Sequence, residues 1–204
     1  MTNFTTVAND EVIEATKQAL EANGFRVTVV ESGAAAKEAV LALIPKGAEV
    51  FSATSRTADD IGLSKAIDES GDYDAVRPKF YALMGQPDKK REARKLGAAP
   101  DYVVGSVHAL TQDGHALIAS NTGSQLPAYL YGAGQVIWVV GAQKITKNFD
   151  EAEQRLREQV FPLENERSKA AYGVGTSINK LAFYYKEVNQ GRVHVVIAKE
   201  ALGF

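Results

Sequence analysis

Segments with helical periodicity alternate with short β-branched segments through the first part of this chain. Apolar residues recur at helical spacing from Val12 to Leu20, Gly24 is suited to end that helix, and a strand-like segment occupies residues 25–30. Ser32 can cap a second helix, and residues 49–53 have the pattern of a second strand. Since a crossover between parallel strands usually carries a helix, this order predicts an α/β fold whose mainly parallel sheet is covered on both faces.

The bulk composition narrows the classes of function. With 204 residues and a hydrophobic content of 45%, we expect one domain over residues 1–204. The formal net charge of −2, without a run of like charges, argues against binding to nucleic acid or to an anionic membrane. The absence of cysteine excludes disulfides, thiolate-held zinc or iron–sulfur clusters, and cysteine nucleophiles. Neither a leader pattern nor an apolar run of about 18 residues occurs, so we expect a cytoplasmic protein.

The signals between residues 54 and 97 are weaker. Thr57, with Asp60 three residues later, has the form of a capping box for a helix that reaches about Ile67. Residues 70–81 are rich in glycine, aspartate and proline, which predicts a loop with a short strand at residues 79–83. Residues 86–96 have the charged composition of a surface helix.

A hairpin centred on Asp113-Gly114 predicts a group of polar side chains. Residues 102–111 and 115–120 are both strand-like, and Asp-Gly is a strong two-residue turn signal. Counting outward from this turn places His108 opposite Ala119 and Ser106 opposite Asn121. Residues that face each other across a ribbon share a side, so Ser106, His108 and Asn121 would share one face.

A turn and a strand end supply candidate anion ligands. Thr122, Gly123 and Ser124 precede a predicted helix, where exposed amides favour phosphate or carboxylate. Lys144 follows the continuous apolar strand at residues 136–140 and would emerge at the carboxyl edge of the sheet, where open α/β sheets bind ligands. The three histidines are far apart and lack a carboxylate-rich motif, so we predict no metal site.

Each candidate also has an ordinary structural interpretation. His108 could be a hydrogen-bonded core histidine, and Lys144 an exposed surface lysine. Ser55 and Thr57 could act only as helix caps. The strand at residues 193–198 could be interior or an edge that is available for pairing in a homo-oligomer, and both possibilities stay open.

Several motifs together resemble the LUD domain family, named for lactate utilisation. They are Val104-Gly-Ser-Val-His-Ala-Leu, Gly141-Ala-Gln-Lys-Ile, Leu163-Glu-Asn-Glu-Arg and, earlier, Ser55-Arg-Thr with Ile61-Gly-Leu. The resemblance implies a three-layer α/β sandwich of the NagB/RpiA/CoA-transferase-like kind. It also makes Asn165 and Arg167 candidate ligand-binding residues.

The resemblance implies a role in lactate or organic-acid utilisation, with a small anionic or phosphorylated ligand at the carboxyl edge of the sheet. This chain resembles the small members of the family, which lack the cysteine-rich cluster-binding extension, so we expect no iron–sulfur cluster here and leave the cofactor unknown. In an enzyme, His108 would be the general acid or base. A noncatalytic subunit that docks onto iron–sulfur partners is the first alternative. A sugar-phosphate isomerase or acyl-CoA enzyme is the second, although the sequence offers no equivalent of the CoA-transferase glutamate.

Overall fold

Helices and strands alternate along the chain, as the sequence predicts. The computed structural model of the protein describes residues 3–204. Within this range the α-helices are α1 (Asp10–Ala22), α2 (Gly33–Leu43), α3 (Arg56–Asp60), α4 (Leu63–Asp68), α5 (Val76–Met84), α6 (Lys90–Ala98), α7 (Phe149–Arg155) and α8 (Phe161–Tyr172). The strands are β1 (Arg26–Val30), β2 (Glu49–Ser52), β3 (Asp74–Ala75), β4 (Tyr102–Gly105), β5 (Ala109–Thr111), β6 (Ala116–Ser120), β7 (Gln135–Gly141), β8 (Ile145–Thr146), β9 (Lys180–Tyr184) and β10 (Val193–Ala198). Short π-helices span Ala128–Gly132 and Leu156–Val160, and a 3₁₀ turn spans Ala142–Lys144.

The main sheet has six strands in the order β1-β10-β7-β4-β2-β3, and every pair is parallel. Helices α2, α3 and α4 pack on one face, and α1, α5 and α6 contribute to the core on the other. The predicted three-layer α/β sandwich is therefore confirmed. Strand β10 lies between β1 and β7. Of the two possibilities that the sequence left open, it is therefore an interior strand and not an edge.

A second sheet, in the order β8-β5-β6-β9, lies on the α1 side of the main sheet. Its outer face packs against Ala152, Leu156 and Val160, which belong to α7 and the π-helix after it. The segment between β4 and β5 therefore passes from one sheet to the other, and this segment carries Ser106 and His108.

The predicted register of the hairpin is wrong by one residue. Ala109 pairs with Leu117. The predicted pairing of His108 with Ala119 belongs to a register that differs from the observed one by one residue. The reason is the turn, which contains the three residues 112–114 instead of two. Gly114 adopts φ +83° in this turn, a conformation that favours glycine.

Two predictions about helices are also wrong. Residues 76–84 form α5 instead of a loop and a strand, because Pro78 lies in the first helical turn, where its missing N–H costs no hydrogen bond. The helix after β2 is capped by Ser55, whose Oγ accepts from the Ala58 amide, and not by Thr57. Gly62, at φ +65°, then divides the predicted single helix into α3 and α4.

The prediction of one domain over residues 1–204 stays a prediction, and its first two residues lie outside the described range. Among residues 3–204, no helix combines the length and the apolar composition that a membrane span requires.

Candidate functional site

The polar loops collect at one edge of the main sheet. Strands β2, β4, β7 and β10 are parallel, so their carboxyl ends lie on the same side. Ser55 and Thr57 follow β2, Ser106 and His108 follow β4, and Lys144 follows β7. Ligands bind at this edge in open α/β sheets, and the placement of Lys144 there agrees with the sequence prediction.

A cavity of about 760 Å³ opens at this edge. Ten of the eleven sequence-predicted site residues line it: Ser55, Thr57, Ser106, His108, Asn121, Thr122, Gly123, Ser124, Lys144 and Arg167. Asn165 does not line it. The Asn165 Oδ1 atom instead accepts from the Thr176 amide at 3.0 Å, which holds the loop after α8 against the cavity.

Lys144 is buried, with 4% of its surface exposed, and its ammonium nitrogen has only neutral partners. Nζ lies 2.8 Å from Thr57 Oγ1, 3.2 Å from Ser106 Oγ and 3.4 Å from the Val107 carbonyl oxygen. None of the ion pairs among the described residues includes Lys144. The exposed-lysine interpretation is therefore wrong.

Burial, together with the positive charge of Arg155, lowers the pKa of Lys144 to about 7. Asp60 has the opposite effect, but its carboxylate is bound to Arg56 at 2.7 Å. Both protonation states of Lys144 are consequently populated near neutral pH. An anion that enters the cavity would favour the charged state, since opposite charges stabilise each other.

Arg155 is a second buried cation, which was not predicted from the sequence. It is 1% exposed, and Nη1 donates to the His108 carbonyl oxygen at 2.6 Å. The Nε atom has no hydrogen-bond partner, and Arg155 forms no ion pair with any of residues 3–204. Burial lowers its pKa to about 10. A detectable signal did exist, because Arg155 lies between Ala152 and Leu156 on the apolar stripe of its helix.

His108 is fixed as a neutral imidazole. Its Nδ1 atom accepts from the backbone amide of Ala119 at 3.0 Å, and an amide can only donate, so Nδ1 carries no proton. The neutral ring then carries its proton on Nε2. Desolvation lowers the pKa of His108 to about 3, and the charges of Lys144 and Arg155 act in the same direction. Catalysis by His108 as general acid or base stays a prediction, whereas the geometry makes Nε2 a hydrogen-bond donor.

The predicted grouping of Ser106, His108 and Asn121 occurs for a different reason than the one predicted. Residues 106–108 have left the sheet, so strand register does not set their directions. Asn121 lies at the rim, where its Oδ1 atom accepts from Asn179 at 2.7 Å. The crossing segment between the two sheets carries Ser106 and His108 to the cavity, and Asn121 reaches the same cavity from the end of β6.

The turn at residues 122–124 differs from the predicted set of free amides. The Gly123 amide donates to Ser120 Oγ at 2.8 Å, and the Ser124 amide donates to Thr122 Oγ1 at 3.4 Å. These two amides are thus already bonded, and the prediction that they are exposed to an anion is wrong. The side chains of Thr122 and Ser124 remain at the cavity wall.

Helix α8 contributes Arg167, which is partly neutralised. Its Nε and Nη2 atoms each donate to Glu164 at 2.6 Å, and the guanidinium lies 5.5 Å from the ring centre of Tyr172. Hydrogen bonding to Glu164 raises the pKa of Arg167 above its ordinary value. Arg167 is therefore a fixed cation at the wall whose charge is largely balanced by its neighbour.

The cavity is more positive than the chain as a whole. Its wall carries the cationic side chains of Arg56, Arg94, Lys144 and Arg167, but only the carboxylates of Asp59 and Glu164, whereas the whole chain has a net charge of −2. Arg94 was not predicted as a site residue, because it lies in a charged helix with a solvent-exposed pattern. The loop at residues 174–178 also lines the cavity and was missed, since no strand precedes it.

No cluster of three potential metal-ligating side chains (His, Cys, Asp or Glu) occurs among residues 3–204. The residues at the cavity instead offer hydroxyls, an imidazole N–H and cations. This set is suited to carboxylate or phosphate oxygens.

By its fold and its site, the protein is an α/β sandwich with a parallel main sheet and a cationic cavity at the carboxyl edge of that sheet. The sequence model of the LUD domain family matches residues 13–198, so the chain belongs to the LUD domain family, as predicted. Among solved structures, it is similar to a DUF162 family protein from Deinococcus radiodurans with a TM-score of 0.57 and 14% identity, over 95% of this chain and 99% of that chain. At this identity the likeness concerns the fold alone. A comparison with curated proteins gives no match.

Proposed function

We propose that this protein binds a small organic anion, a carboxylate or a phosphate ester, in the cavity at the carboxyl edge of the main sheet. The observation that carries this proposal is the pair of buried cations, Lys144 and Arg155, which have no carboxylate partner among the described residues. Family membership supports a place in lactate or related organic-acid metabolism in the cytoplasm.

The energetic reason lies in desolvation. Removing a cation from water costs several kcal/mol unless an opposite charge or good hydrogen bonds replace the water. Lys144 has three neutral oxygens and Arg155 has one carbonyl, which offset only part of this cost. An anionic ligand offsets the remainder, so the cavity attracts anions.

Each residue then has a distinct role. The Lys144 ammonium contacts the anion, and His108 donates from Nε2 to a second oxygen of the ligand. Arg155 acts through its field from behind the His108 backbone, since its guanidinium does not line the cavity. Arg94 supplies positive potential at the wall and steers the ligand to the cavity, whereas the charge of Arg167 is largely balanced by Glu164.

The other functional hypotheses stay predictions. A noncatalytic role beside iron–sulfur subunits and a sugar-phosphate or acyl-CoA reaction are both compatible with an anion site. The described residues favour neither of these over simple binding of an organic acid. A homo-oligomer likewise stays a prediction.

A thermal-shift screen tests the proposal. Lactate, pyruvate, inorganic phosphate, a nucleotide and coenzyme A are added separately, each beside sodium chloride at matched ionic strength. We expect at least one of these anions to raise the melting temperature beyond the salt control, because a ligand that binds only the folded state stabilises it. The Lys144→Met variant should lose this rise, while Arg157→Met, an exposed cation paired with Glu153, should keep it. Unchanged melting temperatures with every anion would overturn the proposal.

A further inference from the structure

Lys144 has the surroundings of a nucleophilic amine as well as those of a cation. A lysine that only pairs with an anion at a surface keeps its full charge, whereas a nucleophile needs a free lone pair. Two hydroxyl groups, Thr57 Oγ1 and Ser106 Oγ, lie within hydrogen-bond distance of Nζ, and no carboxylate lies within ion-pair distance of it among the described residues. The third neighbour of Nζ, the Val107 carbonyl oxygen, accepts one N–H, which a neutral amine also supplies, so these contacts do not require the protonated form.

We propose that Nζ of Lys144 condenses with the carbonyl carbon of a small 2-oxo carboxylate to form a covalent imine in the cavity. This inference depends on the proposed anion site, because the carboxylate of such a compound is the group that the other cations at the cavity would hold while Lys144 takes the carbonyl. The carbonyl next to that carboxylate is then delivered to the buried amine.

The step balances without an oxidant or a metal. The lone pair of the neutral amine attacks the carbonyl carbon, a C–N bond forms, and one proton of the nitrogen passes to the carbonyl oxygen to give a neutral carbinolamine. The nitrogen lone pair then expels the hydroxyl group, which leaves as water with one further proton, and a protonated C=N bond remains. The hydroxyls of Thr57 and Ser106 are placed to pass protons to and from Nζ.

The position of the amine separates Lys144 from the other lysines of the chain. Lys17 and Lys199 are bound to carboxylates, and Lys180 is an exposed residue whose Nζ donates to the Thr122 carbonyl. An ordinary surface lysine is neutral at pH 7 in on the order of one molecule in a thousand. The pKa of Lys144, lowered to about 7, gives a neutral fraction near one half, so at neutral pH Lys144 offers several hundred times more free amine than a surface lysine.

Borohydride trapping tests the proposal. The full chain is incubated with pyruvate at neutral pH, sodium borohydride reduces any imine to a stable secondary amine, and peptide mass spectrometry locates the adduct. We expect a single adduct on Lys144 in the wild type and in Lys17→Arg. We expect none at this position in Lys144→Arg, which keeps a cation but has no nucleophilic amine. Lactate, which has no carbonyl, should give no adduct.

The possible results distinguish this inference from the proposed function. Pyruvate that raises the melting temperature but leaves no adduct on Lys144 overturns the imine while the anion site stands. Adducts spread over surface lysines at equal yield also overturn it. If pyruvate gives neither a thermal shift nor an adduct, the imine is overturned and the anion site loses support. The wild-type peptide map is decisive even if Lys144→Arg fails to fold.

Discussion

Arg155 Nη1 donates a 2.6 Å hydrogen bond to the carbonyl oxygen of His108, which lies 47 residues earlier in the chain. The bond joins the end of α7 to the segment that crosses between the two sheets. The same segment carries Ser106, one of the hydroxyls at the Lys144 ammonium. A buried cation therefore lies behind the wall that holds the reactive lysine, and the charges of the two residues are coupled.

This coupling predicts the effect of removing the charge of Arg155. In Arg155→Met, the pKa of Lys144 should rise from about 7 toward its ordinary value, because the Arg155 charge lowers it in the wild type. The pH dependence of Lys144 modification by an amine-specific reagent, followed by peptide mass spectrometry, measures this pKa. The matched variant Arg157→Met removes an exposed cation and should leave it unchanged. A Lys144 pKa that stays in place in Arg155→Met would show that the two charges are independent.

The lowered pKa of Lys144 also predicts a pH dependence of stability. Between about pH 10.5 and pH 7 the unfolded chain binds a proton at Lys144 that the folded chain does not, so the free energy of unfolding falls as the pH falls through this window. Below about pH 7 the loss is complete and constant. Relative to Lys144→Met, the wild type should therefore gain roughly 3 to 5 kcal/mol between pH 7 and pH 10.5. Denaturant unfolding of both proteins across this range measures the difference, and parallel curves would contradict the buried neutral lysine.

The lowered pKa of His108 predicts a second pH range, on the acid side, in which the free energy of unfolding changes. Its pKa is lowered to about 3, so below pH 6.5 the unfolded chain takes up a proton that the folded chain refuses. The wild type should lose about 3 kcal/mol relative to His108→Gln between pH 7 and pH 4. Protein NMR of the imidazole gives the direct check, since the His108 ring should stay neutral down to at least pH 4. A ring that titrates near pH 6.5 would refute the Nδ1 contact with Ala119.

A side chain at Gly105 should disturb the packing of Tyr129, which lines the cavity. A Cβ atom at this position would overlap the hydroxyl oxygen of Tyr129 and lie 3.1 Å from its Cζ, and Tyr129 is only 1% exposed. Gly105→Ala should cost about 1 to 3 kcal/mol of unfolding free energy through overpacking. Removing the hydroxyl in Gly105→Ala/Tyr129→Phe should restore part of this loss. Gly85→Ala is the control, because its added Cβ has no neighbour closer than 3.6 Å. Equal stability of the two alanine variants in thermal unfolding would contradict the packing described for Tyr129.

Much of the fold was predictable because local signals agreed with the tertiary structure. Ser32 caps a helix as its sequence context predicts. The continuous apolar composition of β7 identified a strand buried on both faces, and this assignment placed Lys144 at the carboxyl edge. Helix α5 was missed because Pro78 is read as a helix breaker, although it is tolerated in a first turn.

The candidate site was predictable in its members but not in its chemistry. Residues that follow parallel strands meet at one edge of the sheet, whatever the exact length of each strand. The order of strands was therefore enough to group Ser55, Thr57, Ser106, His108 and Lys144. The tautomer of His108 depends on one contact between its ring and the Ala119 amide, and strand pairing alone does not show which ring nitrogen meets that amide. The role of Arg155 depends on burial against a distant segment, which composition alone does not reveal.

Calorimetric titration at pH 6 tests the central claim, that Lys144 holds an anion in the cavity. At this pH Lys144 is mostly protonated and should bind anions most tightly. Titration of wild-type protein and Lys144→Met with lactate, pyruvate and inorganic phosphate should give saturable binding of at least one anion to the wild type. In Lys144→Met the Kd for that anion should be at least about tenfold weaker, equivalent to about 1.4 kcal/mol. Equal affinity in the two proteins, or no saturable binding of any of the three anions to the wild type, would contradict the claim.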